Sequence, residues 1–305
     1  MTRFIIRRLL SGIPVIFVVA TLTFAIMKVV PGGPFDREKK LPPEIIANIE
    51  AKYHLDWPWW RQYLDYMGKL ASFDLGPSYK YTDRTVNDII RDTLPVSAQL
   101  GVLGLLVAIL MGIPLGIASA VRRDSVIDRA GIFLSTLGIS VPNFVLGAAL
   151  IWFLALYLDL LPAARWEGLS YTILPAITLG APPAAYLARL TRGSILETST
   201  EDYVRTARAK GLKERRVVLK HILKNSLIPV VTILGPLSAV LITGSFIVEH
   251  IFAIPGMGRF FITAVSNRDY PLIMGVTLVY TTFLIIANIL VDIAYGFLDP
   301  RVRPS

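Results

Sequence analysis

Glu201-Asp-Tyr-Val-Arg-Thr-Ala-Arg-Ala-Lys-Gly211 is a polar, basic interruption in a chain whose flanks are membrane-grade apolar sequence, and it carries its own helix punctuation. Thr198 with Glu201 has capping-box spacing, Glu201 and Asp202 stand where the helix dipole favours carboxylates, and Lys210 followed by Gly211 marks a C-terminus. The loop is therefore expected to be folded. A second helical pattern starts at Glu214 and places Val217, Val218, His221 and Ile222 on one face before apolar sequence resumes at Leu227. A pair of short amphipathic helices between two membrane spans is a handle that another protein can grip.

Composition agrees with a bilayer setting. Hydrophobic residues make up 54% of the 305 residues and charged residues only 17%, and the mean hydropathy is +0.58, all beyond what a soluble domain usually carries. There are no cysteines, which excludes disulfides, thiolate metal sites, thiol catalysis and lipidated cysteine.

Six apolar stretches can be marked out. The first, Leu9 to Met27, runs 19 residues without a formal charge, enough to cross roughly 30 Å of hydrocarbon. Arg3, Arg7 and Arg8 precede it as in a signal peptide, but Lys28-Val-Val-Pro31 follows in place of a small-residue cleavage site, so it reads as a retained helix. The others are Val96 to Val121, Ala130 to Leu158, Ile173 to Leu190, Leu227 to Phe252 and Leu272 to Phe297. The expected fold is all-α and integral to the membrane, with six transmembrane helices and both termini on one side.

Charge sets the side. Arg3, Arg7 and Arg8, then Arg122, Arg123 and Arg129, then Arg301 and Arg303 fall at ends or connections that alternate to the same face. The polar loop adds ten basic residues between Arg189 and Lys224 against Glu197, Glu201, Asp202 and Glu214. By the positive-inside rule that face is cytoplasmic. The connection from Pro31 to Pro95 is balanced, with nine basic and ten acidic residues, which places it outside. The net charge of +9 thus reports topology, and nucleic acid is not an expected partner.

The outer connection carries three helical fragments. Pro43 heads Ile45, Ile46, Ile49 and Tyr53; Pro58 heads Trp60, Tyr63, Leu64, Met67 and Leu70; Thr85 with Asp88 caps Val86, Ile89 and Ile90. Together they predict a small helical extracytoplasmic cap, with Trp57, Trp59 and Trp60 read as an aromatic belt at the headgroups in preference to a platform that stacks on peptide side chains. Inside the spans, glycine and proline recur at Pro14, Gly112, Pro114, Gly116, Gly138, Pro142, Gly147, Pro175, Gly180, Pro182, Pro183, Gly235 and Pro236. Their number suits closely packed, kinked helices around a mobile pathway.

The polar loop resembles the EAA-type coupling loop of ABC importer permeases, in the form found in peptide transporters. Arg205-Thr206-Ala207 stand at the Glu-Ala-Ala positions and Gly211 at the loop glycine. The Leu-Pro pair of the general pattern is replaced by Leu223-Lys224, and a proline arrives only at Pro229, as in the peptide and nickel branch. The resemblance extends over Pro31-Gly-Gly-Pro-Phe35, Asn48-Ile-Glu-Ala-Lys-Tyr-His54, Gly76-Pro-Ser78, Val86-Asn-Asp88, Val248-Glu-His-Ile-Phe252, Pro255-Gly-Met-Gly258 and Asn267-Arg-Asp-Tyr270. Together these are similar to the B-type permease subunit of an oligopeptide importer.

The resemblance implies a division into a first transmembrane helix (1–30), the cap (31–95), a type-1 transmembrane domain (96–298) with its coupling loop at 191–226, and a cytoplasmic tail (299–305). It implies that Glu201, Arg205, Thr206, Ala207, Arg208, Ala209, Lys210 and Gly211 meet an ATPase subunit. It implies a second, C-type permease, two ATPase subunits holding ATP and Mg, an extracytoplasmic peptide-binding protein and oligopeptides as partners, in a bacterial inner membrane. A dipeptide or nickel permease shares the coupling loop; the Asn48 to His54 and Gly76 to Ser78 segments favour oligopeptides.

An enzyme needs a constellation that the sequence does not assemble. His54, His221 and His250 are scattered without metal spacing, and no P-loop or nucleophile elbow occurs. The chain therefore needs no cofactor of its own, and any ATP-driven step draws on another subunit. An integral membrane enzyme and an ion-coupled carrier remain the readings from other classes. A charge near the bilayer centre costs roughly 2.5 to 3.5 kcal/mol on insertion scales, so Glu249 and Asp292 are candidates for a pathway or gate. For Glu249, near the outer end of span five, interfacial solvation is the plainer alternative. For Asp292, near the inner end of span six, pairing with a coupling-loop arginine is favoured.

Overall fold

The computed structural model describes residues 2–35, 43–242 and 244–298. The expected tail from 299 onward lies outside the described residues, and so does the side chain of Asp292. Within them the chain is helical, with one isolated antiparallel bridge between Pro77 and Thr85.

The first helix, α1 (Thr2–Val29), leads to the cap, where α2 (Pro43–Lys52) and α3 (Trp59–Ala71) follow. The third cap fragment is not a separate helix. Thr85 and Asp88 form the expected capping box, with Asp88 N–H donating to Thr85 Oγ1 at 3.1 Å and Thr85 N–H donating to Asp88 Oδ2 at 3.0 Å, but the helix they start runs unbroken as α4 (Val86–Val121). Pro95, read as the end of the cap, lies inside it. At 36 residues and 1.5 Å per residue, α4 spans about 54 Å and so serves cap and membrane alike.

The stretch from 130 to 158 is not one straight span either. It divides into α5 (Val126–Ser140) and α6 (Asn143–Leu150), the latter continued by a π-helical segment, Ile151–Tyr157, and the two halves meet at 108°. Pro142 stands at the N-cap of α6, where its missing N–H leaves no bond broken. After α7 (Leu169–Thr198), α8 (Asp202–Ala209), α9 (Glu214–Val217), a π-helical Val218–Ile222 and α10 (Leu223–Ser226), the chain returns through α11 (Ile228–Ile242) and α12 (Phe246–Ile251). A helix that the sequence reading missed, α13 (Met257–Asn267), precedes the last, α14 (Tyr270–Leu298).

Among the described residues, four helical stretches are long and apolar enough to cross a membrane (Ile6–Val29, Val86–Val121, Ile228–Ile251 and Tyr270–Leu290), and five if the bent α5–α6 pair counts as one. The fourth expected span corresponds to α7, which is long but lies outside that set. It packs along α4 with nearly half of its residues buried. The buried stripe of α4 is small at nearly every turn: Ser97, Gly101, Gly104, Ala108, Gly112, Gly116 and Ser119. An added Cβ on Gly180 of α7 would lie 2.5 Å from the Gly104 carbonyl oxygen, and one on Gly116 2.6 Å from Thr191 Cβ, so backbones touch where side chains would stand.

Two apolar clusters mark opposite ends. One joins Phe24, Val86, Ile89, Met257, Tyr270 and Leu272 beneath the cap. The other joins Ala120, Ile195, Val204, Ala207, Val217 and Ile222 at the polar loop.

Candidate coupling site

In α8 the apolar positions are few and well spaced. Val204 and Ala207 are buried, one turn apart, and pack with Ala120 of α4 and Ile195 of α7. Glu201, Arg205, Thr206, Arg208, Ala209, Lys210 and Gly211 are exposed. Of the expected coupling residues, therefore, Ala207 is the seat and the rest form the outward face.

The expected capping box at the start does not form. Thr198 is the last residue of α7, and Glu201 caps α8 through its extended backbone without a side-chain bond. The C-terminal end follows expectation. Gly211 has φ +76°, its N–H donates to the Arg208 carbonyl at 2.9 Å, and the Leu212 N–H donates to the Ala207 carbonyl at 3.4 Å. This is the Schellman pattern, in which a left-handed residue lets two terminal carbonyls find donors.

Side chains then fix the loop as one piece. Arg208 donates to Glu214 through Nη2 at 2.8 Å and Nε at 3.2 Å, and through Nη1 to the Ser199 carbonyl at 3.3 Å. These bonds hold the Glu214 carboxyl below its usual range and raise the Arg208 guanidinium. Asn225 Nδ2 donates to the Tyr203 hydroxyl at 2.8 Å, tying α8 to α10. The second helical pattern is present but widened: Val217 and Ile222, five apart, are its buried members, while Val218 and His221 are half-buried. A π-helical turn brings positions five apart into line.

Behind the loop lies an ion pair that the sequence reading did not assemble. Asp128, 2% exposed, binds Arg192 through both oxygens at 2.7 and 2.9 Å. Ser125 N-caps α5 with Asp128 as its third residue, and that spacing was the available signal.

Glu249 is fully buried, which counts against the alternative of an interfacially solvated side chain. Its Oε2 accepts from the N–H groups of Gly258 at 2.7 Å and Arg259 at 3.3 Å, so it caps the first turn of α13. An added Cβ on Gly244 would lie 2.5 Å from its Oε1. The structure does not bring Glu249 together with the coupling residues.

The scattered motifs of the cap end do converge. Tyr270 donates its hydroxyl to the Gly32 carbonyl at 2.9 Å, and Arg268 Nη1 donates to the Gly33 carbonyl at 3.3 Å. Buried Asp269 accepts from Ser78 Oγ and from the Tyr79 N–H at 3.1 Å. Asn87 closes the turn before Gly76, donating to the Phe73 carbonyl at 2.7 Å and accepting from the Leu75 N–H at 2.9 Å. Phe35 stacks on Tyr53, and Tyr79 packs tilted against both.

An all-helical membrane bundle that seats a short basic helix at one end and closes a small cap at the other is the architecture of a multi-pass transport subunit. Residues 112–304 match the family described as binding-protein-dependent transport system inner membrane component, and residues 1–101 match its N-terminal companion, so the chain belongs to that family. It is similar to the dipeptide transport system permease protein DppB of Bacillus subtilis, 46% identical over 99% of this chain and 98% of that protein. It is also similar to the oligopeptide transport system permease proteins OppB of Haemophilus influenzae, at 42%, and Escherichia coli, at 41%, over 99% of this chain and the whole of each. Among solved structures, an amino acid ABC transporter matches with a TM-score of 0.56 at 16% identity, covering 68% of this chain and 93% of that one. The MetNI methionine ABC transporter matches with a TM-score of 0.56 at 17% identity, covering 69% and 94%. These structures share the fold.

Proposed function

We propose that this chain is the B-type permease subunit of an ATP-driven oligopeptide importer in a bacterial inner membrane. It forms the translocation pathway with a second, C-type permease. Two ATPase subunits hold ATP and Mg, and one of them grips the exposed face of α8 and its two ends, formed by Glu201, Arg205, Thr206, Arg208, Ala209, Lys210 and Gly211. An extracytoplasmic binding protein delivers peptide to the cap. Both termini and the 191–226 loop face the cytoplasm, and residues 31–95 lie outside. The units are the first helix (1–30), the cap (31–95), the type-1 domain (96–298) and the tail (299–305). Glu249 acts in the pathway by holding α13 at the outer end, and Asp292 lies toward the inner end of the last span.

The observation that carries this reading is similarity along the full length to peptide permeases, 41–46% identical. The basic, exposed face of α8 on an apolar seat supports the docking role. The Bacillus relative, named for dipeptides, supports a second reading in which dipeptides are the cargo. Weak peptide binding by the permease suits either cargo, because a pathway that accepts many sequences cannot use discriminating side-chain pockets.

Reconstitution in liposomes tests it. The complete assembly is expected to take up mixed-sequence oligopeptides with ATP, and the isolated chain to take up none. Uptake confined to dipeptides selects the second reading. Uptake of a metal ion alone, or peptide uptake by the isolated chain, overturns both.

A further inference from the structure

Every acceptor position of the buried Asp128 carboxylate is filled. Oδ1 takes Ser119 Oγ at 2.5 Å and Arg192 Nε at 2.7 Å; Oδ2 takes Arg192 Nη2 at 2.9 Å and the Asp124 N–H at 2.9 Å. Asp124 holds a left-handed conformation, φ 63°, in the turn between α4 and α5. One carboxylate therefore joins the last turn of α4, the first turn of α5 and the end of α7.

The coupling helix hangs from the same places. Ala120 follows Ser119, and Ile195 lies one turn beyond Arg192; both belong to the apolar cluster that buries Val204 and Ala207 of α8. Elsewhere α5 meets its neighbours through small surfaces. A Cβ on Gly138 would lie 2.7 Å from Ala185 Cβ. Such smooth faces resist separation but offer little against sliding, whereas a bidentate arginine fixes direction. A buried ion pair adds little stability over an apolar contact of similar volume; what it supplies here is fixed geometry between two helices.

We propose that the Asp128–Arg192 pair is the joint through which displacement of α8 by an ATPase is passed to α5, and so to the bent α5–α6 pair. This rests on the proposed function, in which α8 is the docked element. Arg192 and Asp128 are positioning residues; neither touches cargo. The joint predicts that α5 and the end of α7 move as one body while α8 is driven.

The complete assembly in liposomes provides the first readout, with ATP hydrolysis and peptide uptake measured together. Asp128→Asn and Arg192→Lys are expected to assemble and hydrolyse ATP while peptide taken up per ATP falls about tenfold, within the usual range of coupling between sites. The double variant is expected to be no worse than the worse single one, because the two residues act as a unit. Arg192→Lys keeps the charge, so it reports even where Asp128→Asn fails to assemble. The second readout needs no transport. Spin labels on Arg129→Cys and Glu197→Cys, introduced into this cysteine-free chain, are expected to give one narrow distance that is the same with and without nucleotide, and Asp128→Asn is expected to broaden it. A wild-type distance that changes with nucleotide, or unchanged uptake per ATP in both single variants, overturns the joint. Failure of the wild-type assembly to import peptide overturns the proposed function instead, and the label distance still decides whether α5 and α7 are joined.

Discussion

Arg208 forks onto Glu214 across the Gly211 turn, so that the end of α8 and the start of α9 are held by two parallel hydrogen bonds of 2.8 and 3.2 Å. Glu214 is the partner that titrates. Its carboxyl is held low by the Arg208 bonds, so the stabilisation is present above the unfolded glutamate pKa and is lost as pH falls through the lower folded value. Both side chains are well exposed, at 42% and 60%, which limits the pair to about 0.2–1 kcal/mol. Glu214→Gln is expected to leave the midpoint of thermal unfolding nearly unchanged and to abolish the acid-range increase in protease cleavage between Arg208 and Arg216. At neutral pH the variant is expected to be cleaved there as readily as the wild type is in acid, and variant cleavage no faster than wild type at neutral pH would refute the assignment.

Gly211 is constrained by conformation alone. An added Cβ meets nothing within 4 Å, but φ is +76°, a region that costs an L residue roughly 1–2 kcal/mol and a β-branched one more. Gly211→Val is expected to insert normally yet lose transport and co-purification of the ATPases, while Gly211→Asn retains much of both. Equal behaviour of the two variants would count against the left-handed turn as the cause.

Gly180 is constrained by space. Its missing side chain lets the Gly104 carbonyl approach, whereas Gly193, on the same helix, faces open space. Gly180→Ala should push α4 and α7 apart at a cost of about 1–3 kcal/mol. Gly193→Ala should be neutral or stabilising by up to about 1 kcal/mol through helix propensity. Thermal unfolding of the purified protein in detergent separates the two; a lower midpoint for Gly193→Ala than for Gly180→Ala would be the wrong order.

Orientation is checked by labelling. Single cysteines at Asp56, in the cap, and Lys213, in the coupling loop, both exposed, are expected to react from opposite sides of sealed cells or vesicles. Reaction of both from one side would reverse the topology proposed from the charges.

Much of this fold was legible in residues taken a few at a time. The Thr85–Asp88 box and the Gly211 C-cap are local devices with fixed spacing, and both form. The Thr198–Glu201 box has the same spacing but fails, because packing on α4 extends α7 through Thr198. Proline was ambiguous for a similar reason: Pro114 lies within the unbroken α4 while Pro142 marks a 108° bend, and neighbouring helices decide which outcome holds. Asp128 and Arg192 are 64 residues apart in sequence, so no local spacing pairs them. The burial of Glu249 depends on Gly256 and Gly258 folding back over it, a return that hydropathy does not encode.

The bond from Tyr270 to Gly32 closes a loop of 238 residues, and the Ser78–Asp269 bond one of 191. The cap is thus made from the first third of the chain but locked by residues at the head of the last helix. At roughly 5–20 residues per second of synthesis, the segment after α1 waits about 10–50 s for its partners. During that interval the Ser78 hydroxyl and the Gly32 and Gly33 carbonyls lack the Asp269, Tyr270 and Arg268 groups that hold them in the finished fold, so biogenesis of this subunit is most vulnerable at the cap, before translation ends.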